Sequence, residues 1–410
     1  MQISKMIPLF TFLVIACGSQ SSSPELKSAV TTNHIDGFTP LSGKEKAYYA
    51  AAIEPLFRNG LGRGNFSGGI LLAKNGEIVF EDYRGIYDTR TRKAIDSTTP
   101  LHVASISKTF TSAAILKLME EGKLSLEDRV QKYLPSFPYE NITIKNLLSH
   151  RSGLQKYEVF MQGTRSEAYK TKNRKGRTIT RYRTIKTPLT FNGLATNRDV
   201  LNYLAMRRPA LIGTPNRFYN YCNTNFAILA LIVEEISGMD FPTYLTTYVF
   251  QPLGMKHSYV FSIKDSANYV PSYNYRFSPF KLEKLDCIYG DKNVYTTVRD
   301  LLLWDRALYL GTFISAKSQE LAYTPYSFEK RGEKNYGLGW HLLVHPPDPT
   351  IVYHNGWWHG NTASFKRLVA DTATVIIIGN NFNRAIWSAG KMSSVFTGRA
   401  DTTSLDLIDQ

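Results

Sequence analysis

The chain has 410 residues, of which 43% are hydrophobic and 20% charged, an ordinary balance for a globular protein with a sizeable core in one large or two moderate domains. Three cysteines exclude a disulfide-stapled scaffold. A formal net charge of +15 raises the question of a polyanionic partner.

The first stretch, MQISKMIPLFTFLVIACG, has a basic start at Lys5 and an apolar run from Ile7 to Ala16. That run is too short to span a bilayer and reads as a signal peptide over 1–16. It ends Val14-Ile15-Ala16-Cys17, which resembles the lipobox of bacterial lipoproteins. The resemblance implies cleavage before Cys17, lipidation of its thiol, and a protein anchored in a bacterial cell envelope, facing periplasm or exterior. Residues 17–43 then form a tether, 44–397 the folded domain and 398–410 a tail.

Lys44 to Phe57 has helical composition and is followed by Gly60 and Gly62. Two β-rich runs, Ile70–Ala73 and Ile78–Tyr83, flank Asn75-Gly76, a strong hairpin signal. Next, Ile106, Phe110, Ala114 and Leu118 recur every fourth residue along one helix face that ends at Gly122. From Leu124 to about Leu310 the pattern is helical and loop-rich. Within it, Arg165 to Lys186 holds nine basic residues against one acid, Glu167, and reads as a solvated, mobile insertion or a contact for an anionic lipid or glycan. Helices are expected over Phe226–Ile236 and Leu301–Leu310. Strands follow over Ile351–His354, Thr362–Ala370 and Thr374–Gly379, then a helix over Arg384–Phe396. Strands at both ends argue for one sheet built from distant segments (about 44–104 and 335–397), with a helical lobe (about 105–334) between them. Cys222 and Cys287 read as separate buried thiols.

Chemistry concentrates at Ser105-Ile106-Ser107-Lys108. In a helix, residues i and i+3 share a face, so the Ser105 hydroxyl and the Lys108 amine can meet, whereas Ser107 and Lys108 diverge. A desolvated lysine can lose its proton and activate a hydroxyl. Taken alone, S-x-x-K is weak: it recurs at Ser278–Lys281, Ser327–Lys330 and Ser388–Lys391, and Ser105 also reads as a helix N-cap. Two motifs lie downstream, Tyr221-Cys222-Asn223 ahead of a buried helix and His354-Asn355-Gly356 on a strand.

In order along the chain, FSGGILLAKNGEIVFE, HVASISKTFTSAAILKLMEEGKLSLEDRVQKYLP, ITIKNLLSHRSGL, FYNYCNTNFAILALIVEEISG, FQPLGMKHS and NVYTTVRDLLLWDRAL make the chain resemble the serine β-lactamase and penicillin-binding-protein superfamily, in its class C β-lactamase-like branch. The resemblance implies an α+β fold, an antiparallel sheet flanked by helices plus an all-helical lobe. It implies Ser105 as acylated nucleophile, Lys108 as its partner and Tyr221 as proton carrier. Asn223 would bind the substrate amide, and His354 would line the cleft towards the substrate carboxylate and Tyr221. Gly356 would leave room for the substrate strand, and the backbone N–H groups of Ser105 and Trp357 would form an oxyanion hole. The expected activity is serine hydrolysis through an acyl-enzyme, on amides or esters such as D-amino-acid-containing peptides. The alternatives are an esterase, a β-lactamase, or a sensor that is acylated and stays so. His354 stands where class C β-lactamases carry lysine, and its imidazole is a poorer anchor for a β-lactam carboxylate than an ammonium. Trp357-Trp358 would narrow the rim or pack at a sheet edge, and His359, five residues past His354, reads as a loop residue in preference to a second cleft residue. No His-x-His, HExxH or paired-cysteine spacing suggests a metal. No cofactor, nucleic acid or obligate protein partner is expected; the partners are a small-molecule or peptide substrate and a membrane, through the lipid anchor.

Overall fold

The structure, a computed structural model, describes residues 37–186, 191–329 and 332–399. Cys17, the signal segment and most of the tether and tail lie outside the described residues. The first helix, α1 (Gly43–Asn59), starts at a capping box: the Ser42 hydroxyl accepts from the Glu45 N–H and the Glu45 carboxylate accepts from the Ser42 N–H. Strands β1 (Gly68–Lys74) and β2 (Glu77–Arg84) form the expected hairpin, turning on Asn75 and Gly76, both at positive φ. A second hairpin, β3 (Thr164–Lys172) and β4 (Thr178–Lys186), occupies the basic segment. Near the C-terminus come β5 (Lys334–Tyr336), β6 (His341–Leu343), β7 (Ile351–Trp358), β8 (Asn361–Leu368) and β9 (Ala373–Gly379).

These strands make a seven-stranded antiparallel sheet in the order β5-β6-β7-β8-β9-β1-β2. The N- and C-terminal segments meet where β1 pairs with β9, from Gly68 opposite Gly379 to Lys74 opposite Ala373. Side chains alternate across the sheet. Ile70, Leu72, Val375 and Ile377 pack with Ile53 and Phe57 of α1 and with Trp387, while Leu71, Ala73, Phe365, Ile376 and Ile378 face the other core. That second core includes α2 (Ser107–Glu120), α4 (Asn223–Ser237) and α5 (Val298–Tyr309), with α3 (Asn197–Arg207) packed beyond α4. α2 and α4 carry apolar or small residues nearly all round because they are enclosed on every side. The Arg367 guanidinium of β8 is fully buried and pairs with Asp305 of α5 at 2.5 Å, tying sheet to helix.

Two expectations change. The basic segment is a regular hairpin; its period-2 run Thr178-Ile179-Thr180-Arg181-Tyr182-Arg183 gives no one-sided apolar signal because both faces meet solvent. The C-terminal helix is broken into Ala385–Ala389, a 3₁₀ turn at Gly390–Ser393 and Ser394–Thr397. Cys222 and Cys287 are free and buried.

Candidate active site

A short strand, Leu101–His102, pairs with Val294–Thr296 and delivers the chain to a tight turn. Ala104 takes φ +48°, and a 3₁₀ turn over Ala104–Ile106 precedes α2. A non-glycine residue in this region is strained, and the surroundings hold it there. The Ala104 N–H donates to Nδ1 of His102 at 3.2 Å, and the Nε2 of the same ring lies 3.2 Å from both the Asn293 N–H and the Asn293 side-chain oxygen. Burial depresses the His102 pKa to about 3 and keeps the ring neutral.

Ser105 therefore sits on the turn and does not cap α2, whose N-cap, Ile106, makes no side-chain bond. The Lys108 Nζ lies 2.9 Å from the Ser105 Oγ and 2.8 Å from the Asp291 carbonyl oxygen. Lys108 is fully buried, and burial lowers its pKa to about 7 against the opposing pull of the Asp291 and Glu158 carboxylates. Ser107 points elsewhere, its hydroxyl accepting from the Val294 N–H at 3.0 Å.

Tyr221 and Asn223 arrive at the start of α4. The Tyr221 ring lies beneath two lysines, Lys108 Nζ at 4.9 Å and Lys156 Nζ at 5.8 Å from its centroid. Cys222 turns into the helical core, where burial pushes its thiol up to about 12, and its N–H donates to His150 Nδ1 at 3.1 Å. Asn223 donates through Nδ2 to the Glu158 carboxylate, leaving the Asn223 Oδ1 and the Glu158 Oε2 buried without a hydrogen-bond partner among the described residues. Beside them, the Tyr157 hydroxyl donates to Asp291 at 2.6 Å and accepts from the Lys292 Nζ at 2.7 Å. Lys292 also donates to the Ile288 carbonyl. This buried network fixes Asp291, whose carbonyl oxygen holds Lys108.

A cavity of about 320 Å³ opens over the serine, lined by Ser105, Glu158, Tyr221, Asn223, Phe280, Trp357, Trp358 and His359. Its described lining holds a carboxylate and neither lysine nor arginine. A second cavity, of about 380 Å³, lies at the far end of the sheet near His345 and Arg399, away from these groups.

Ser105, Lys108, Tyr221 and Asn223 thus come together. His354 does not line the cavity: it is fully buried behind Tyr221, its ring 6.4 Å from the tyrosine ring and 4.8 Å from that of His341. Burial, with Lys108 and His341 near, holds its pKa well below the ordinary histidine range, and its Nδ1 lies 2.7 Å from the Asn355 carbonyl oxygen, so the ring is neutral and offers no charge to a carboxylate. Gly356 also has a different reason from the one expected. A Cβ there would stand 2.2 Å from the Val103 carbonyl oxygen, so the glycine makes room for the turn that carries Ser105. Trp357 lines the rim and is 42% exposed, on the strand β7 that packs against the Ser105 turn. His359, expected in a loop role, lines the cavity with its Nε2 2.9 Å from Asp286, which also accepts from the Trp358 Nε1 at 2.9 Å. His359 thus takes the second of its two sequence readings, a cleft residue, whereas Glu158 was not legible as a site residue because it sits in no motif with Ser105, and the network partners Asp291 and Lys292 meet Lys108 and Tyr157 only through the fold. No cluster of metal-ligating side chains occurs among the described residues.

Comparison with known proteins follows this geometry. The family described as Beta-lactamase matches residues 53–385. Penicillin-binding protein 4* of Bacillus subtilis is 30% identical over 344 residues, covering 80% of this chain and 71% of that protein. Penicillin-binding protein PbpX of the same strain is 29% identical over 287 residues, 68% of this chain but 62% of that protein, less than two thirds of its length. Among solved structures, a class C β-lactamase superposes with TM-score 0.65 at 18% identity over 88% of this chain and 99% of that one. The D-amino acid amidase of Ochrobactrum anthropi SV3 does so with TM-score 0.64 at 19% identity, over 85% and 97%. The family match runs from α1 to the last helices and takes in the serine–lysine turn, the tyrosine and the glycine strand: the chain belongs to the beta-lactamase family, within the superfamily of serine β-lactamases and penicillin-binding proteins.

Proposed function

We propose that this protein is a serine hydrolase that works through an acyl-enzyme on Ser105. The observation that carries the reading is the 2.9 Å contact between a fully buried Lys108 amine and the Ser105 hydroxyl on a strained turn at the floor of a cavity. With its pKa near 7, Lys108 is substantially neutral at neutral pH, and its lone pair takes the Ser105 proton as Oγ attacks the acyl carbon. The backbone N–H groups of Ser105 and Trp357 receive the developing oxyanion. Tyr221 passes the proton to the leaving group, and water then releases the acyl group by the reverse relay.

The preferred substrates are amides or esters, among them D-amino-acid-containing peptides, acted on at a cell envelope to which Cys17 anchors the chain. One observation favours the esterase or amidase reading over β-lactam hydrolysis: the described lining of the cavity presents the Glu158 carboxyl, whose pKa burial and the nearby Asp291 raise, and neither lysine nor arginine, so a β-lactam carboxylate would meet no cation there. A panel of a p-nitrophenyl ester, a D-alanyl-D-alanine peptide, a D-amino acid amide and nitrocefin, followed by time-resolved intact mass, tests the proposal. Turnover with transient mass on the Ser105 peptide supports it, and a stable stoichiometric adduct points to a sensor. No adduct on wild type with any donor, or an adduct that persists in Ser105→Ala, overturns it.

A further inference from the structure

The hairpin β3–β4 forms a two-stranded sheet of its own, nine residues against nine, and among the described residues its main contact with a helix or strand of the body is with the Tyr157–Phe160 turn at its root. At about 3.3 Å per residue it projects roughly 30 Å. A free-standing two-stranded ribbon has little intrinsic stability, so conformational reasons alone do not account for its length. Its charge is one-sided in sign. Lys170, Lys172, Arg174, Lys175, Arg177 and Arg181 are exposed and have no acidic partner among the described residues, whereas Arg183 pairs with Glu167 at 2.7 Å. The turn Asn173-Arg174-Lys175-Gly176 and its flanks gather four of these cations at the tip. Tyr182, 72% exposed, stands on one face of the shaft, and Tyr169 on the other.

We propose that this hairpin docks the protein onto an anionic lipid surface, tip first. A convex basic tip has no groove to clasp a polymer chain, and its two tyrosines lie on opposite faces and cannot stack successive rings of a nucleic acid or glycan. A convex tip of clustered cations matches a laterally smeared negative surface, where each lysine or arginine adds about fivefold to partitioning, and interfacial tyrosines suit the headgroup layer. The inference does not depend on the acyl-transfer reading.

The test uses the full chain carrying Cys17→Ser, so that no acyl chain contributes. Cosedimentation is compared on phosphatidylglycerol–phosphatidylcholine vesicles and on pure phosphatidylcholine vesicles. A second chain adds Lys170→Gln, Lys172→Gln, Arg174→Gln, Lys175→Gln and Arg177→Gln, all remote from the core. The expected result is stronger binding to the anionic vesicles, weakened by salt and reduced about a hundredfold or more in the five-fold variant, with the thermal midpoint unchanged. Equal binding of both chains to anionic vesicles overturns the proposal, as does binding to heparin with none to vesicles.

Discussion

A lysine held out of water beside a serine hydroxyl titrates where catalysis can use it. Only neutral Lys108 can accept the Ser105 proton, so kcat/KM for an activated ester should rise with pH to an inflection near 7. Lys108→Arg, permanently charged, should lose the inflection and about 10²-fold or more of kcat/KM; a pH–rate profile that kept the inflection in this variant would remove Lys108 as the base. The same burial has a cost in stability. Because the folded-state pKa is depressed, the unfolded chain binds more protons between about pH 7 and the ordinary lysine value, and stability should rise with pH across that window. Thermal melts of Lys108→Met should lack this rise. Glu158→Gln removes the carboxylate from the cavity and should raise nitrocefin acylation relative to ester turnover by roughly tenfold, read from rates of adduct formation; an unchanged ratio would mean that Glu158 does not face the substrate's charged end. Ser105, Lys108 and Tyr221 were legible because each lies in a short local motif. The burial of His354 was not, since a strand residue's inward or outward orientation depends on which face its neighbours cover, and Glu158 reaches the cavity only through packing of the Tyr157–Phe160 turn on α4.

At the scale of elements, the strand β7 and the nucleophile turn are in backbone contact. Gly356→Ala should push β7 off Val103 at about 1–3 kcal/mol, lower Tm by a few degrees, and reduce ester turnover more than stability explains, because Ser105 moves with the turn. Equal activity in a folded Gly356→Ala chain would show that the turn tolerates the shift. Between sheet and helix, Arg367→Met strands the Asp305 carboxylate in the core and should cost about 3–5 kcal/mol, measured by denaturant melts. The continuous apolar runs Ile70–Ala73 and Val375–Ile378, with Asn75-Gly76 after the first, made the sheet readable in the sequence, since strands buried between two cores carry no polar face. The hairpin β3–β4 escaped for the opposite reason: with no core to face, its side chains carry no apolar period. The C-terminal helix was read as continuous because its composition is helical, and the 3₁₀ turn at Gly390–Ser393 keeps right-handed backbone angles that composition does not distinguish.

Across the whole molecule, residues 68–84 and 334–379 share one sheet, so the nucleophile's support closes only after the last strands arrive. A chain ending at residue 333 lacks β9, the partner of β1 along all seven residues, and should show no cooperative melt by circular dichroism. The sheet's shared origin also places remote parts of the polypeptide side by side, with the Tyr49 ring of α1 5.2 Å from Phe396. The basic hairpin, by contrast, stands clear of both cores. Circular permutation should exploit this arrangement: joining residues near 43 and 397 through a short flexible linker and opening new ends between Arg174 and Lys175 keeps every strand of the central sheet intact. Such a permutant reverses the order of synthesis, making the sheet's two halves neighbours in sequence, and should refold faster than the native order in stopped-flow fluorescence.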